Sequence, residues 1–137
     1  MCASEKNDLL TQLSELEKTE PIANFLGMKL EKLTPGYARI TMPMKQEYIN
    51  FNGMVFGAIV MAVADQAFAY ATNSLNMPNL AIQFNINLIA AANATDILTA
   101  ECRVVKAGRR ISVSEMKVTN QNERLIAPAT GTTLCTA

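Results

Sequence analysis

The stretch VFGAIVMAVADQAFAYA, Val55–Ala71, decides the fold, and residues 72–74 close it. Nearly every residue in it is apolar, which is typical of a helix that is buried on most of its sides. A transmembrane helix is the alternative, but Asp65 and Gln66 would then lie near the bilayer centre, at a cost of roughly 2.5–3.5 kcal/mol for the aspartate alone. Because amphipathic strands follow, we interpret the segment as the central helix of a water-soluble domain.

Two helices and a hairpin are predicted before this segment. Leucines at helical spacing among charged residues predict an amphipathic helix that ends near Thr19, and Pro21 opens a shorter one. Apolar and polar residues then alternate as in strands at 28–33 and 37–44, on either side of a Pro-Gly turn. We interpret residues 46–54, which are rich in Asn and Gly, as a loop.

Four strands are predicted after the long helix. They cover residues 80–89, 97–105, 111–118 and 125–136, and Pro128 in the last one indicates an edge or a bulge. Sequential strands joined by short turns form an antiparallel sheet, and the apolar helix needs that sheet as a cover. The expected fold is therefore α+β. It is one domain in which an antiparallel sheet of about six strands wraps around one long helix, preceded by a short N-terminal helical segment.

Composition excludes several classes of chemistry. The 137 residues contain no histidine, which removes Ser-His-Asp and Cys-His nucleophiles, histidine general bases and His-ligated zinc. Cys2, Cys102 and Cys135 form no C-x-x-C pair, so neither a metal knuckle nor a redox dithiol is expected. We expect no metal and no cofactor.

The charge balance bears on the partners of the protein, and the N-terminal residues and cysteines bear on its cellular location. Lys and Arg total 12 and so do Asp and Glu, so the protein lacks the field that attracts nucleic acid or an anionic membrane, and we expect neither as a partner. The first eight residues are polar and show no secretory signal, and a sparse, odd set of cysteines suits a reducing compartment. A cytoplasmic protein is the expectation.

Asp65 is the first candidate for chemistry. It interrupts a long apolar run, so its carboxylate must face a cavity, find hydrogen-bond donors or be kept protonated, because burying an unpaired charge is too costly. The structural alternative is an aspartate satisfied by nearby backbone groups or exposed at a helix edge.

Gly57 and Asn50 are the next candidates. Gly57 falls where loop becomes helix, where unpaired N–H groups of the first turn can bind an anion or a developing oxyanion. Asn50 can offer its amide to a carbonyl or a water. The alternative is that the glycine only permits a tight entry into the helix.

Gly108, Arg109 and Arg110 form a turn with two cations. Such a turn can hold phosphates, although paired arginines in a hairpin are more often a solvated tip.

One spaced motif gives the sequence a family resemblance. Asn50-x-x-Gly53-x-x-Phe56-Gly57-Ala58, followed by Asp65, resembles the signature of hot-dog-fold acyl-CoA thioesterases of the phenylacetic-acid-degradation type. That signature is Asn, two residues, Gly, two residues and His-Gly-Gly, with Asp or Glu eight residues after the first glycine of the pair. The resemblance extends from about Pro21 to Thr136.

The resemblance implies both a site and an assembly. Dimers would join into one continuous sheet, often as a dimer of dimers, with active sites between subunits. Asp65 would be general base or nucleophile on an acyl-CoA thioester and would face the Gly57 amide of the other subunit. That amide would polarise the carbonyl, and Asn50 would orient the carbonyl or the water.

Two positions depart from the family pattern. Phe56 stands where the family has histidine and would instead contact the acyl chain, and Ala58 replaces the second glycine. A backbone donor at Gly57 survives both changes. The rival hypothesis is a hot-dog protein that binds acyl-CoA or a fatty acyl ligand without hydrolysing it. Hydration or dehydration of a 2-enoyl thioester generally needs a histidine, which this chain lacks.

Overall fold

The long apolar segment forms helix α3, which lies across one face of a six-stranded antiparallel sheet. The computed structural model describes residues 3–136. Its helices and strands are α1 (Ala3–Thr19), α2 (Pro21–Leu26), β1 (Lys29–Thr34), β2 (Tyr37–Pro43), α3 (Gly57–Asn73), β3 (Asn79–Ile86), β4 (Ile97–Ala107), β5 (Ile111–Thr119) and β6 (Leu125–Cys135). A short 3-10 helix, Gln46–Tyr48, interrupts the loop between β2 and α3. The predicted α+β class and the number of strands are confirmed.

Element boundaries differ from the prediction by at most three residues. Helix α3 begins at Gly57 because Val55 still bridges Ile49 as in a strand, and the Phe56 N–H is donated to a loop carbonyl. Strand β3 ends at Ile86, since the following N–H groups bond to β6 without a regular ladder.

One edge of the sheet is covered by a helix, and the other is not covered within the described residues. Strand order is β1-β2-β4-β5-β6-β3, so β1 and β3 are the edges. Helix α1 covers the β1 edge, where the Glu17 carboxylate accepts the Leu30 N–H at 2.9 Å. No such cover lies along β3 within the described residues, and its sequence, NLAIQFNI, carries no charge. An uncharged, unpaired edge strand is a template for pairing with another chain.

Strand β6 is not an edge, contrary to one reading of Pro128. It lies between β5 and β3, and its register shifts against β5 near Ile126, two residues before the proline. Ala129 is the last β6 residue that is paired with β3. Pro128 directly precedes it in sequence and therefore lies where the ladder between β6 and β3 ends. The bulge interpretation is therefore close, and the edge interpretation is wrong.

The core fills the space between α3 and the inner face of the sheet. Phe68 is the largest fully buried side chain, and its ring lies directly on β6. A Cβ at Gly131 would stand 2.5 Å from the Phe68 Cζ, so glycine is required there for the helix to approach the sheet. Phe84 completes the contact with its ring centroid 5.9 Å from that of Phe68.

One stripe of α3 remains exposed in the single chain. Its members are spaced three or four residues apart and therefore share one helix face: Ala58, Met61, Asp65 and Ala69. The sequence predicted a helix buried on most sides, and this face is the exception.

Candidate active site

The loop before α3 folds into a tight turn around Asn50. Its side-chain Oδ1 accepts the N–H of Asn52 at 3.0 Å and of Met54 at 3.4 Å, while its own N–H is donated to the Met54 carbonyl at 2.8 Å. Such local bonds are why asparagine favours turns. The Oδ1 is thus committed to the turn, and the Nδ2 group, without a partner in residues 3–136, is the part of Asn50 that can reach a ligand.

The first turn of α3 presents free backbone donors. No side chain caps the helix at Phe56, whose N–H is donated to the Tyr48 carbonyl at 2.8 Å. The N–H groups of Gly57 and Ala58 have no acceptor among the described residues, as the geometry of a helix start requires. The helix dipole adds partial positive charge at the same place, so this turn favours an oxyanion.

Gly57 and Asn50 line one groove. Its volume is about 290 Å3, and the other walls come from the start of α3 and from the chain after β3: Met54, Val55, Val60, Leu88, Ile89, Ala90, Ala91 and Ala92. The Leu88 side chain lies over Gly57, because a Cβ on that glycine would come within 2.7 Å of the Leu88 Cδ1. The structure therefore brings together two of the three residues predicted to be catalytic.

Asp65 lies on the exposed stripe, away from this groove. Eight residues separate it from Gly57, which is about 12 Å along a helix axis. Its carboxylate makes no hydrogen bond and no ion pair within residues 3–136. Neighbouring apolar groups nonetheless remove part of its hydration, and this partial burial raises the pKa of Asp65 above the usual aspartate value. The side chain is both accessible and short of polar partners.

The residues predicted to bind substrate fall into two places. Phe56 and Ala58 are exposed at the start of α3, and neither lines the groove. The Gly108 turn lies at the opposite end of the sheet, next to the start of β3, where the Cys135 N–H is donated to the Arg110 carbonyl. Arg109 and Arg110 are both exposed.

A polar network at Glu20 was missed by the sequence analysis. The Glu20 carboxylate accepts the Tyr70 hydroxyl at 2.7 Å and also the Gln66 side-chain amide. Burial and then the neighbouring carboxylate raise the pKa of Tyr70 far above its ordinary value, so this hydroxyl stays protonated. A glutamate between two helices carries no local signal, because its partners are 46 and 50 residues away.

The part of the chain that the structure describes contains neither a membrane-spanning helix nor a metal-binding cluster. Between residues 3 and 136, no helix has both the length and the apolar content to cross a bilayer. The same residues contain no group of three or more His, Cys, Asp or Glu side chains placed to hold a metal ion.

Comparison with known proteins identifies the family. The thioesterase superfamily model matches residues 52–127, more than half of the chain. A candidate esterase of Archaeoglobus fulgidus is 31% identical over 94% of this chain and 84% of its own. Acyl-coenzyme A thioesterase PaaI of Escherichia coli is 28% identical over 80% of this chain and 79% of its own.

Solved structures agree on the fold. The E. coli PaaI structure superimposes with a TM-score of 0.91 at 24% identity, covering 96% of both chains. A hypothetical thioesterase protein of Streptococcus pneumoniae, solved with coenzyme A, gives a TM-score of 0.82 at 26% identity, covering 90% of this chain and 96% of that one. The chain therefore belongs to the thioesterase superfamily, as a hot-dog-fold member of the phenylacetic-acid-degradation (PaaI) type.

Proposed function

We propose that the protein hydrolyses an acyl- or aryl-CoA thioester to the free acid and coenzyme A. The observation that carries this proposal is a pair of groups accessible on α3 that have no partner within residues 3–136, the Asp65 carboxylate and the Gly57 N–H. A thioesterase needs a base or nucleophile and a donor for the oxyanion, and this chain offers one of each.

The two groups complete one site only between subunits. About 12 Å of helix separates them in a single chain, so one thioester carbon cannot lie about 3 Å from both. Pairing of the open β3 edge with the same edge of a second copy would set the two α3 helices antiparallel. Asp65 of one chain then faces Gly57 of the other, twice per dimer, as two-fold symmetry requires.

Roles follow from this arrangement. Asp65 removes a proton from the attacking water, or attacks the carbonyl carbon itself and is released by water. The Gly57 N–H, with the α3 dipole behind it, stabilises the oxyanion, and the thiolate of coenzyme A leaves. The Asn50 Nδ2 group orients the carbonyl or the water.

The arginine hairpin fits the same assembly. The hairpin lies at the start of β3, whereas Leu88, which covers Gly57, follows its end. Antiparallel pairing of two β3 strands would therefore bring Arg109 and Arg110 of one subunit to the Gly57 end of the other. There they would bind the phosphates of coenzyme A.

The test is release of free thiol from a panel of acyl- and aryl-CoA thioesters. Asp65→Asn is expected to lower kcat by about 10²–10⁴, the usual contribution of a general base. The matched control is Asp8→Asn, which changes an exposed aspartate on α1. Equal rates for wild type and Asp65→Asn would remove Asp65 from the mechanism.

Phe56 favours the second candidate, a protein that binds acyl-CoA without turnover. Its ring stands where the family has an imidazole, so one polar group of the family site is absent. Calorimetric binding of an acyl-CoA by wild type, with no thiol release over hours, would establish this alternative and exclude hydrolysis.

A further inference from the structure

A second pocket opens between α1 and the C-terminal half of α3. Its volume is about 270 Å3, close to the lower end of small-molecule sites at about 300 Å3. The wall is mainly apolar, with Leu13 and Leu16 from α1, Ala69 from α3, and Met77, Pro78 and Leu80 from the chain leading into β3.

The wall also contains four polar side chains, those of Glu20, Tyr70, Asn73 and Asn79. Two of them form a polar boundary of the pocket, where the Tyr70 hydroxyl is donated to the Glu20 carboxylate at 2.7 Å. An apolar ligand that reached past this point would strip water from the carboxylate without replacing its hydrogen bonds, which is unfavourable. The boundary therefore limits how deep an apolar group can extend.

The pocket is continuous with the face that carries Asp65. Ala69 lies one helical turn after Asp65 on the same stripe, with the two Cα atoms about 6 Å apart along the axis. If Asp65 of one chain faces Gly57 of another, antiparallel helices also place Ala69 against the loop before Gly57. That loop carries Phe51, which is 96% exposed, and Met54, which is 42% exposed. Apolar surface thus surrounds the pocket mouth from both chains.

We propose that this pocket, in the subunit that supplies Asp65, holds the acyl group of the thioester. The proposal rests on the proposed function and adds the substrate class: apolar acyl groups of short to medium length, bounded by Glu20. Leu16 is the specificity residue, because its side chain lines the pocket and is still 46% exposed, so its size can change without disturbing the core.

The experiment measures kcat/KM for a series of straight-chain acyl-CoA thioesters from acetyl to dodecanoyl. For Leu16→Trp, we expect the ratio of kcat/KM for the longest chain that wild type accepts to kcat/KM for acetyl-CoA to fall at least about tenfold, since one methylene alters selectivity by about 10-fold or more. Leu16→Ala should move the preference toward longer chains. Glu15→Trp, one residue away on the exposed side of α1, is the matched control and should keep the wild-type profile.

The two proposals fail in different ways. If wild type hydrolyses the series and Leu16→Trp keeps the same chain-length profile, the acyl pocket lies elsewhere while the thioesterase stands. If wild type hydrolyses nothing, hydrolysis is excluded, and the pocket is tested by the ratio of octanoyl-CoA to acetyl-CoA affinity. That ratio should fall about tenfold or more in Leu16→Trp, and an unchanged ratio overturns the pocket assignment.

Discussion

Within residues 3–136, no hydrogen bond or ion pair stabilises the Asp65 carboxylate. Its raised pKa comes from burial alone, so the ionised form is disfavoured and the acid limb of activity should lie above that of an ordinary aspartate. If Asp65 acts as base or nucleophile, kcat should fall as the pH drops through this raised pKa. A pH profile of kcat tests this, and the residual activity of Asp65→Asn should lack that limb.

The exposed ring of Phe56 invites a direct substitution. Removing one oxyanion donor typically costs about 10²–10³ in rate, so an added donor beside Gly57 should raise kcat by a smaller factor. We expect Phe56→His to raise turnover and to change the preference among acyl groups, since a polar imidazole replaces the larger apolar phenyl ring at a position 54% exposed beside the site. Thiol release across the acyl series measures the turnover and the preference among acyl groups. If neither quantity changes, Phe56 does not contact the substrate.

At the scale of single elements, the contact between α3 and β6 sets the stability of the core. Gly131→Ala would place a methyl group 2.5 Å from the Phe68 ring and 3.1 Å from the Gln83 carbonyl oxygen. Overpacking of this kind costs about 1–3 kcal/mol in the free energy of unfolding. Urea denaturation measures it, and the cost should shrink in a Phe68→Leu background, where the ring is absent. The same cost in both backgrounds would mean that the ring is not the obstacle.

The elements were predictable from sequence because their signals are local. Alternation in the strands and the long apolar run of α3 report burial directly, and short turns imply antiparallel neighbours. The exposed stripe of α3 could not be predicted in the same way. Ala58 and Ala69 are exposed whereas Ala64 and Ala67 are buried, and nothing in a uniformly apolar helix distinguishes them.

The candidate site was predictable in part for the same reason. Asn50 and Gly57 are close in sequence, so the loop-to-helix turn that unites them is a local feature. Leu88 and Glu20 reach their partners only through the tertiary fold. In the proposed site, the relation between Asp65 and Gly57 depends on a second chain, which no periodicity within one sequence encodes.

For the whole molecule, the composite site predicts complementation between inactive variants. Asp65→Asn and Gly57→Val should each be nearly inactive, the second because its side chain displaces Leu88 into the groove. A heterodimer purified with two different tags contains one intact site, so it should recover about half of the wild-type activity per dimer. An inactive heterodimer would mean that both residues act within one chain.

Helix α1 also limits how many copies of the chain can join by pairing of their edge strands. On the β1 edge, the Glu17 carboxylate accepts a backbone N–H, and the strand itself carries Lys29, Glu31 and Lys32. The β3 edge has neither a covering helix within the described residues nor a charged side chain, which are the features that prevent an edge strand from pairing. A sheet that is covered along one edge and unpaired along the other can pair with one neighbouring sheet, and no unpaired edge then remains. If two copies pair through β3 as proposed, growth by strand addition would stop at a pair, so the pairing that completes the proposed site would also prevent fibres.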